Sequence, residues 1–134
     1  MRTFILLALC VVCSACGLPG LPDFGEPDTS FCTLEARSSV LVTVAGPVGT
    51  IVDDAHLTFT VNGGPEQVAE CVSLSDTSAK GCTRWMAGTE TSGDFTLTAT
   101  SADGQHTKQL QVSVSEDRCH VITQEVTITL SVSR

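Results

Sequence analysis

The sequence contains no tyrosine, one tryptophan and only seven lysine and arginine residues. A sugar-binding face generally needs several exposed aromatic rings, so this composition argues against carbohydrate recognition and favours Trp85 as a core residue. The basic residues form no cluster, and fifteen acidic residues give a net charge of −8. Such a surface repels nucleic acid and anionic lipid headgroups, and we exclude nucleic-acid binding.

The chain also lacks a helical pattern and a long apolar segment. No apolar period of 3.6 residues persists for three turns, which argues against amphipathic helices. The apolar run at residues 4–12 is too short to span a bilayer, but it has the length of a signal-peptide core and follows the basic residue Arg2.

Motifs for catalysis or metal binding are missing too. There is no Gly-x-Ser-x-Gly elbow, and the cysteines do not form the close pairs of a zinc site. His56, His106 and His120 show no ligand spacing, so we expect them to lie on the surface. The sequence therefore predicts neither an enzyme nor a cofactor.

Acidic residues recur at predicted turns and leave a calcium site open as an alternative, because calcium prefers oxygen ligands. None of these residues follows a calcium-loop spacing, and acids in turns are usually solvated. The candidates are Asp53, Asp54, Asp94, Asp103, Glu116 and Asp117.

The residues after the apolar run are Cys13-Ser14-Ala15-Cys16. They resemble the bacterial lipobox, in which small residues precede a cysteine that receives lipid and becomes the mature N-terminus. Cys13 departs from the motif, which usually has leucine there. The resemblance implies a signal peptide at residues 1–15 and lipidation, including palmitate, at Cys16. An ordinary signal peptide cleaved near Ala15 is the alternative.

A linker follows the lipobox. Residues 17–30 alternate proline and glycine with acids, so residues 16–35 are predicted to be a lipidated cysteine and a solvated tether. Gly17 stands where aspartate is linked to inner-membrane retention, which favours the outer membrane. Since cleavage removes only one charged residue, Arg2, the mature chain carries about −9 and only acyl chains would hold it to a membrane.

Four cysteines remain after Cys16, an even number in a small exported domain, and this indicates disulfides in an oxidising compartment. Cys71 and Cys82 flank one polar loop between neighbouring strands. Cys32 precedes the first strand and Cys119 opens the last. Of the three possible connectivities we therefore predict Cys71–Cys82 and Cys32–Cys119.

Residues 36–134 read as one all-β domain. Apolar and polar residues alternate strictly on both sides of a turn at Asp103-Gly104, which predicts a hairpin with Phe95, Leu97 and Ala99 on its buried face. Turn residues such as Asn62-Gly63 separate further strands. We expect a Greek-key β-sandwich of about seven antiparallel strands, stapled by disulfides. The predicted strands lie near residues 39–46, 57–61, 67–72, 82–86, 93–100, 110–114 and 121–132.

Two stretches resemble the carboxypeptidase regulatory-like domains, which are transthyretin-like sandwiches. Residues 49–59 resemble their strand-crossing motif, and Gly93-x-Phe95-x-Leu97-x-Ala99 followed by Gly104 resembles their second signature. Ile51 stands where proline is common, and Gln105 stands where an aromatic often follows the glycine. The resemblance implies an accessory, adhesive or structural module and carries no catalytic residue.

The sequence thus predicts a non-enzymatic envelope lipoprotein that acts as a structural or protein-interaction module. Its partners would be the membrane, through the lipid anchor, and another envelope protein. Leu41 and Ile51 are candidates for an exposed apolar patch that such a partner would use. A small-ligand or calcium-binding module is the alternative function.

Overall fold

Eight β-strands make up the regular structure in the computed structural model, which describes residues 32–75 and 78–131 and gives only the backbone at residues 75 and 78–80. The predicted signal peptide, Cys16, most of the tether and Val132 lie outside this part. Within it, no helix is long and apolar enough to cross a membrane. The strands are β1 (Ser38–Ala45), β2 (His56–Val61), β3 (Gln67–Val68), β4 (Glu70–Ser75), β5 (Ser78–Thr89), β6 (Gly93–Thr100), β7 (Thr107–Val114) and β8 (Gln124–Thr129).

The strands form two four-stranded sheets. Sheet A has the order β4-β5-β1-β8, and sheet B has the order β3-β2-β6-β7. The chain changes sheet between β1 and β2, between β3 and β4, between β5 and β6 and between β7 and β8. Strands distant in sequence therefore lie side by side, as in Greek-key sandwiches. The predicted all-β sandwich with disulfide staples is confirmed.

Strand β6 has the alternation that the sequence predicts. Phe95, Leu97 and Ala99 are fully buried, and the intervening threonines are only partly buried. Across the hairpin Phe95 pairs with Val112, and Leu97 pairs with Leu110. The period of two thus places one set of side chains in the core and the other on the outer face of sheet B.

The strand predicted at residues 67–72 is two strands, which raises the count from about seven to eight. β3 pairs with β2 in sheet B, whereas β4 pairs with β5 in sheet A. Ala69 lies between them and is buried, and its N–H donates to the carbonyl oxygen of Leu57 at 3.0 Å. A small residue at this position lets the chain cross the side of the sandwich without a loop.

One pair of strands departs from the predicted antiparallel arrangement. β1 and β8 run parallel over six residue pairs, from Val40 opposite Gln124 to Ala45 opposite Thr129. Parallel neighbours need a long crossover connection, and here the whole of sheet B lies between the two strands in the chain. The last strand is also shorter than predicted: the sequence predicts a strand that begins at Val121, whereas β8 begins at Gln124.

Aliphatic side chains dominate the core. Val40, Val42 and Val44 of β1 are fully buried, and Trp85 is 4% exposed, so its predicted core position is confirmed. The rings of Phe59 and Phe95 stack, with centroids 5.8 Å apart. Sheets A and B are thus held together mainly by the burial of apolar surface.

A tight turn joins β2 to the chain leading to β3. Asn62 has φ of +50° and Gly63 has φ of +70°, and the N–H of Gly64 donates to the carbonyl oxygen of Val61 at 2.8 Å. Two successive positive φ angles define a type I′ turn, for which Asn-Gly is the preferred pair. The Asn62-Gly63 turn signal is therefore confirmed.

Both predicted disulfides are formed. The Cα atoms of Cys32 and Cys119 are 5.2 Å apart, and those of Cys71 and Cys82 are 5.8 Å apart. The first bond joins cysteines 87 positions apart in the sequence and ties the segment before β1 to the segment before β8. In the loop-entropy model it contributes roughly 4.5 kcal/mol, and the shorter loop roughly 3 kcal/mol.

We predict that Leu97→Ala destabilises the domain by about 2–5 kcal/mol, because Leu97 is fully buried and its truncation leaves a cavity. Thr98→Ala on the opposite face should cost less than about 1 kcal/mol. Urea unfolding with the disulfides intact measures both. Equal losses would contradict the assignment of the two faces of β6.

Candidate functional site

A cleft of about 520 Å³ lies beside the Cys32–Cys119 disulfide. Its walls come from the segment before β1, from the turn between β5 and β6, and from the loop between β7 and β8. The lining residues are Thr33, Leu34, Glu35, Ala36, Glu90, Glu116, Asp117, Arg118, Cys119, His120 and Val121. The disulfide positions two of these walls, because Cys32 and Cys119 belong to different segments.

Glu90 connects the walls of the cleft. Its backbone N–H donates to the carbonyl oxygen of Arg37 at 2.9 Å, and its Oε1 accepts the N–H of Arg37 at 2.6 Å. Its Oε2 accepts the N–H of Val121 at 3.4 Å. Glu90 has φ of +47°, a left-handed conformation that is unusual for a side-chain-bearing residue. The hydrogen bonds to both neighbouring segments offset the cost of this conformation.

His120 extends this network. Its Nδ1 lies 2.9 Å from Oε1 of Glu90, and its Nε2 lies 2.9 Å from Oγ1 of Thr33. The imidazole is 10% exposed and the Glu90 side chain 33% exposed. The expectation that His120 is a surface histidine is therefore wrong, because the ring is held between a carboxylate and a hydroxyl.

The hydrogen bonds around the cleft stabilise its carboxylates in the charged form. The N–H of Arg37 is the main group that lowers the pKa of Glu90, and His120 and Val121 lower it further. The N–H groups of Cys119 and His120 lower the pKa of Asp117. Their donors lie 2.7 and 2.8 Å from its Oδ1. Asp117 thereby fixes the loop that carries His120.

Thr33, His120 and Glu90 stand in the order hydroxyl, imidazole, carboxylate, which is also the order of a Ser-His-Asp triad. Threonine nucleophiles, however, are usually N-terminal residues activated by their own amine. Glu90 also has two backbone N–H groups to satisfy. These hydrogen bonds crosslink three chain segments, and we therefore interpret the arrangement as structural.

The other two histidines lie apart from this network. His56, at the start of β2, is exposed as predicted, and His106 lies beside the turn before β7 and is partly buried. The backbone of His106 belongs to that turn, since its N–H donates to Oγ of Ser101 at 3.0 Å. Neither lines the cleft that contains His120.

Four of the six acidic side chains considered for calcium accept hydrogen bonds from other groups of the chain, namely Asp94, Asp103, Glu116 and Asp117. Asp94 accepts the hydroxyl of Ser113 at 2.6 Å, and Glu116 accepts that of Ser92 at 2.9 Å. Asp103 accepts the Ser101 hydroxyl, which is the main cause of its lowered pKa. Among the described residues, no three histidine, cysteine or acidic side chains are grouped as a metal site would need.

The predicted apolar patch is not formed by Leu41 and Ile51 together. Leu41 lies within sheet A, opposite Met86 and Glu125, and is partly buried. Ile51 is 47% exposed and forms a β-bridge with Ala45. Ala45 lies four residues beyond Leu41 on β1, which corresponds to about 13 Å along the strand. The prediction of one shared patch is therefore wrong.

A different apolar surface lies along residues 67–75, which we call the 67–75 edge. Val68 is 81% exposed, Leu74 is 66% exposed and Val72 is 46% exposed. Alternation does not reveal this surface, because the sequence predicts one strand over residues 67–72 where the structure has β3 and β4. The exposed aliphatic residues follow one another along the side of the sandwich where the chain changes sheet.

One feature of the sequence indicates that two residues of the cleft lie close together. Thr33 follows Cys32 and His120 follows Cys119, so the predicted Cys32–Cys119 bond already brings these two residues together. Glu90 gave no comparable signal, because it lies in a turn at no characteristic spacing from either cysteine.

Comparison with protein-family models, curated proteins and solved structures gives no match. The resemblance to carboxypeptidase regulatory-like domains therefore depends on the motif residues alone.

We predict that Glu90→Gln makes the protein less stable at neutral pH and reduces its loss of stability in acid. Because hydrogen bonds lower the pKa of Glu90 from its ordinary value of 4.5, the charged carboxylate stabilises the folded state above that pH. This contribution is lost as the pH falls through the lowered pKa. Melting temperatures from pH 7 down to about pH 3 measure it.

Glu125→Gln is the matched control. Its side chain is 68% exposed and pairs with Arg84 at 2.6 Å on the surface of sheet A, so it should change the melting temperature little. Identical pH profiles for Glu90→Gln and the unmodified protein would contradict the role given to Glu90.

Proposed function

We propose that the protein is a non-enzymatic lipoprotein of the cell envelope that acts as a protein-interaction module. In this proposal the acyl chains on Cys16 hold it to a membrane, the outer membrane in a Gram-negative cell. Residues 16–35 act as the tether, and the β-sandwich contacts another envelope protein. The family resemblance to carboxypeptidase regulatory-like domains is part of this proposal.

The observation that carries the proposal is the exposure of Val68, Val72 and Leu74 along the 67–75 edge. Soluble domains usually protect sheet edges with charges or cover them, since an apolar edge invites association. A partner that covers these side chains would remove apolar surface from water. The residues of the cleft, in contrast, use their polar groups to hold the chain together.

We predict that Cys16→Ala releases the protein from the membrane fraction or leaves it with an uncleaved signal peptide. The acyl chains would be its only attachment, because the mature chain is strongly acidic. Fractionation of cells, followed by mass analysis of the N-terminus, measures the outcome. Cys13→Ala is the control, since Cys13 would leave with the signal peptide. Normal processing and unchanged membrane association of Cys16→Ala would contradict the anchor.

The interaction function predicts that the full-length protein, used as bait in solubilised envelopes, retains a specific envelope protein. The same protein with its disulfides reduced and its chain unfolded is the control for folded structure. Retention by the unmodified bait and loss with this control is the expected result, measured by mass spectrometry of the bound fraction. Absence of any protein that depends on the folded bait would contradict the interaction function.

Small-ligand binding is the second candidate, and the cleft of about 520 Å³ favours it. A ligand or calcium ion that binds only the folded state must raise the melting temperature of the protein. Such a rise, combined with the absence of an envelope partner, would favour this candidate over the interaction module.

A further inference from the structure

The 67–75 edge contains an open strand. Among the described residues, β4 is an outer strand of sheet A and pairs with β5 alone, and β3 is an outer strand of sheet B. An outer strand has backbone N–H and C=O groups on its free side that a further strand can pair with. Burial of Ala69 fixes the position of β4 relative to β3.

The four outer strands differ in the side chains that they expose. Those of β7 are Thr107, Lys108, Gln109, Gln111 and Ser113, and those of β8 are Glu125, Thr127 and Thr129. β4 exposes Glu70, Cys71 and Ser73 but also the aliphatic residues Val72 and Leu74, and Val68 of the preceding strand β3 is exposed as well. Two of the outer strands thus have polar protection against association, and β4 has aliphatic side chains that could contact an added strand.

Charge defines the kind of occupant. Glu66 and Glu70 flank Val68, both are exposed, and residues 66–75 contain no lysine or arginine. The same edge of a second copy has no lysine or arginine to pair with these glutamates, which disfavours self-pairing. An extended segment with lysine or arginine beside apolar residues would instead complement the edge.

The pairing of β4 with β5 is irregular but firmly held. Register shifts occur on both sides of Ser73, and the Cys71–Cys82 bond joins β4 to β5. Bulges of this kind limit indiscriminate edge pairing. The disulfide also reduces the freedom of β4 before a partner binds, which lowers the entropic cost of association.

We propose that β4 binds an extended segment of another envelope protein as an added strand, and that this segment alternates apolar residues and has basic residues at its ends. The proposal depends on the interaction function above and specifies its partner class. Val72 and Leu74 contact the apolar side chains of the segment, and Glu70 pairs with its basic end.

Selection from a library of short random peptides, with the full disulfide-bonded protein as target, tests this proposal. Enriched peptides should alternate apolar residues and contain an excess of lysine and arginine. Hydrogen exchange should show new protection of β4 amides when a selected peptide binds. Failure to enrich peptides, enrichment without these features, or protection at β7 or β8 instead would overturn the proposal.

Leu74→Lys should weaken binding of a selected peptide about tenfold or more, because it removes an apolar contact and adds a like charge. Glu70→Lys should abolish the preference for basic ends. Ile122→Lys is the control for Leu74→Lys, since Ile122 is also an exposed aliphatic residue, 48% against 66% for Leu74, and lies outside the 67–75 edge. Equal affinity for all three variants would contradict docking at β4.

The same variants separate this inference from the function on which it depends. If Leu74→Lys still retains the envelope partner, the interaction function stands and docking at β4 is wrong. If the unmodified protein forms a dimer that Leu74→Lys dissociates, the occupant is a second copy and the proposal is wrong. If no partner is retained, the interaction function fails, and the peptide selection still decides whether β4 accepts a strand.

Discussion

The register of β6 between its two neighbours is the constraint on which the sandwich depends. β6 pairs with β2 over six residues and with β7 over eight, without a register shift. A slip of one residue would move Phe95, Leu97 and Ala99 to the outer face and bury threonines. Since Phe95 also stacks on Phe59 of β2, the same register builds the aromatic part of the core. The positions of the site and of the edges follow from this fixed sheet.

The parts of the fold that were predictable are those encoded locally. The alternation at residues 93–114 and the Asn62-Gly63 turn are properties of short segments. The hairpin and the turn that they predict are both confirmed. The division between β3 and β4 was not predictable, because Ala69 ends one strand only in the context of Leu57, to which its N–H donates. The parallel pairing of β1 with β8 depends on the path of the whole chain, and no local pattern distinguishes it from antiparallel pairing.

The contacts of the cleft are also partly predictable from the sequence and partly evident only in the folded chain. Both disulfides could be inferred, since chain proximity and strand order limit which cysteines can meet. The pair formed by Thr33 and His120 then follows from Cys32–Cys119, although only the geometry shows that the two side chains are hydrogen-bonded. Glu90 was not predictable, because its role depends on a positive φ and on a backbone group of Arg37. These are features that composition and spacing do not report.

The polar groups of the cleft and the apolar groups of the 67–75 edge differ in how far they are already in contact with the rest of the domain. The side chains of Glu90 and Asp117 accept hydrogen bonds from backbone N–H groups, and Glu90 is also hydrogen-bonded to His120. A ligand in the cleft would have to compete with these bonds. The side chains of Val72 and Leu74 are apolar and exposed, and their contact with water costs free energy in the isolated domain. A partner that covers them removes this apolar surface from water. This difference supports the proposed association at the 67–75 edge over ligand binding in the cleft.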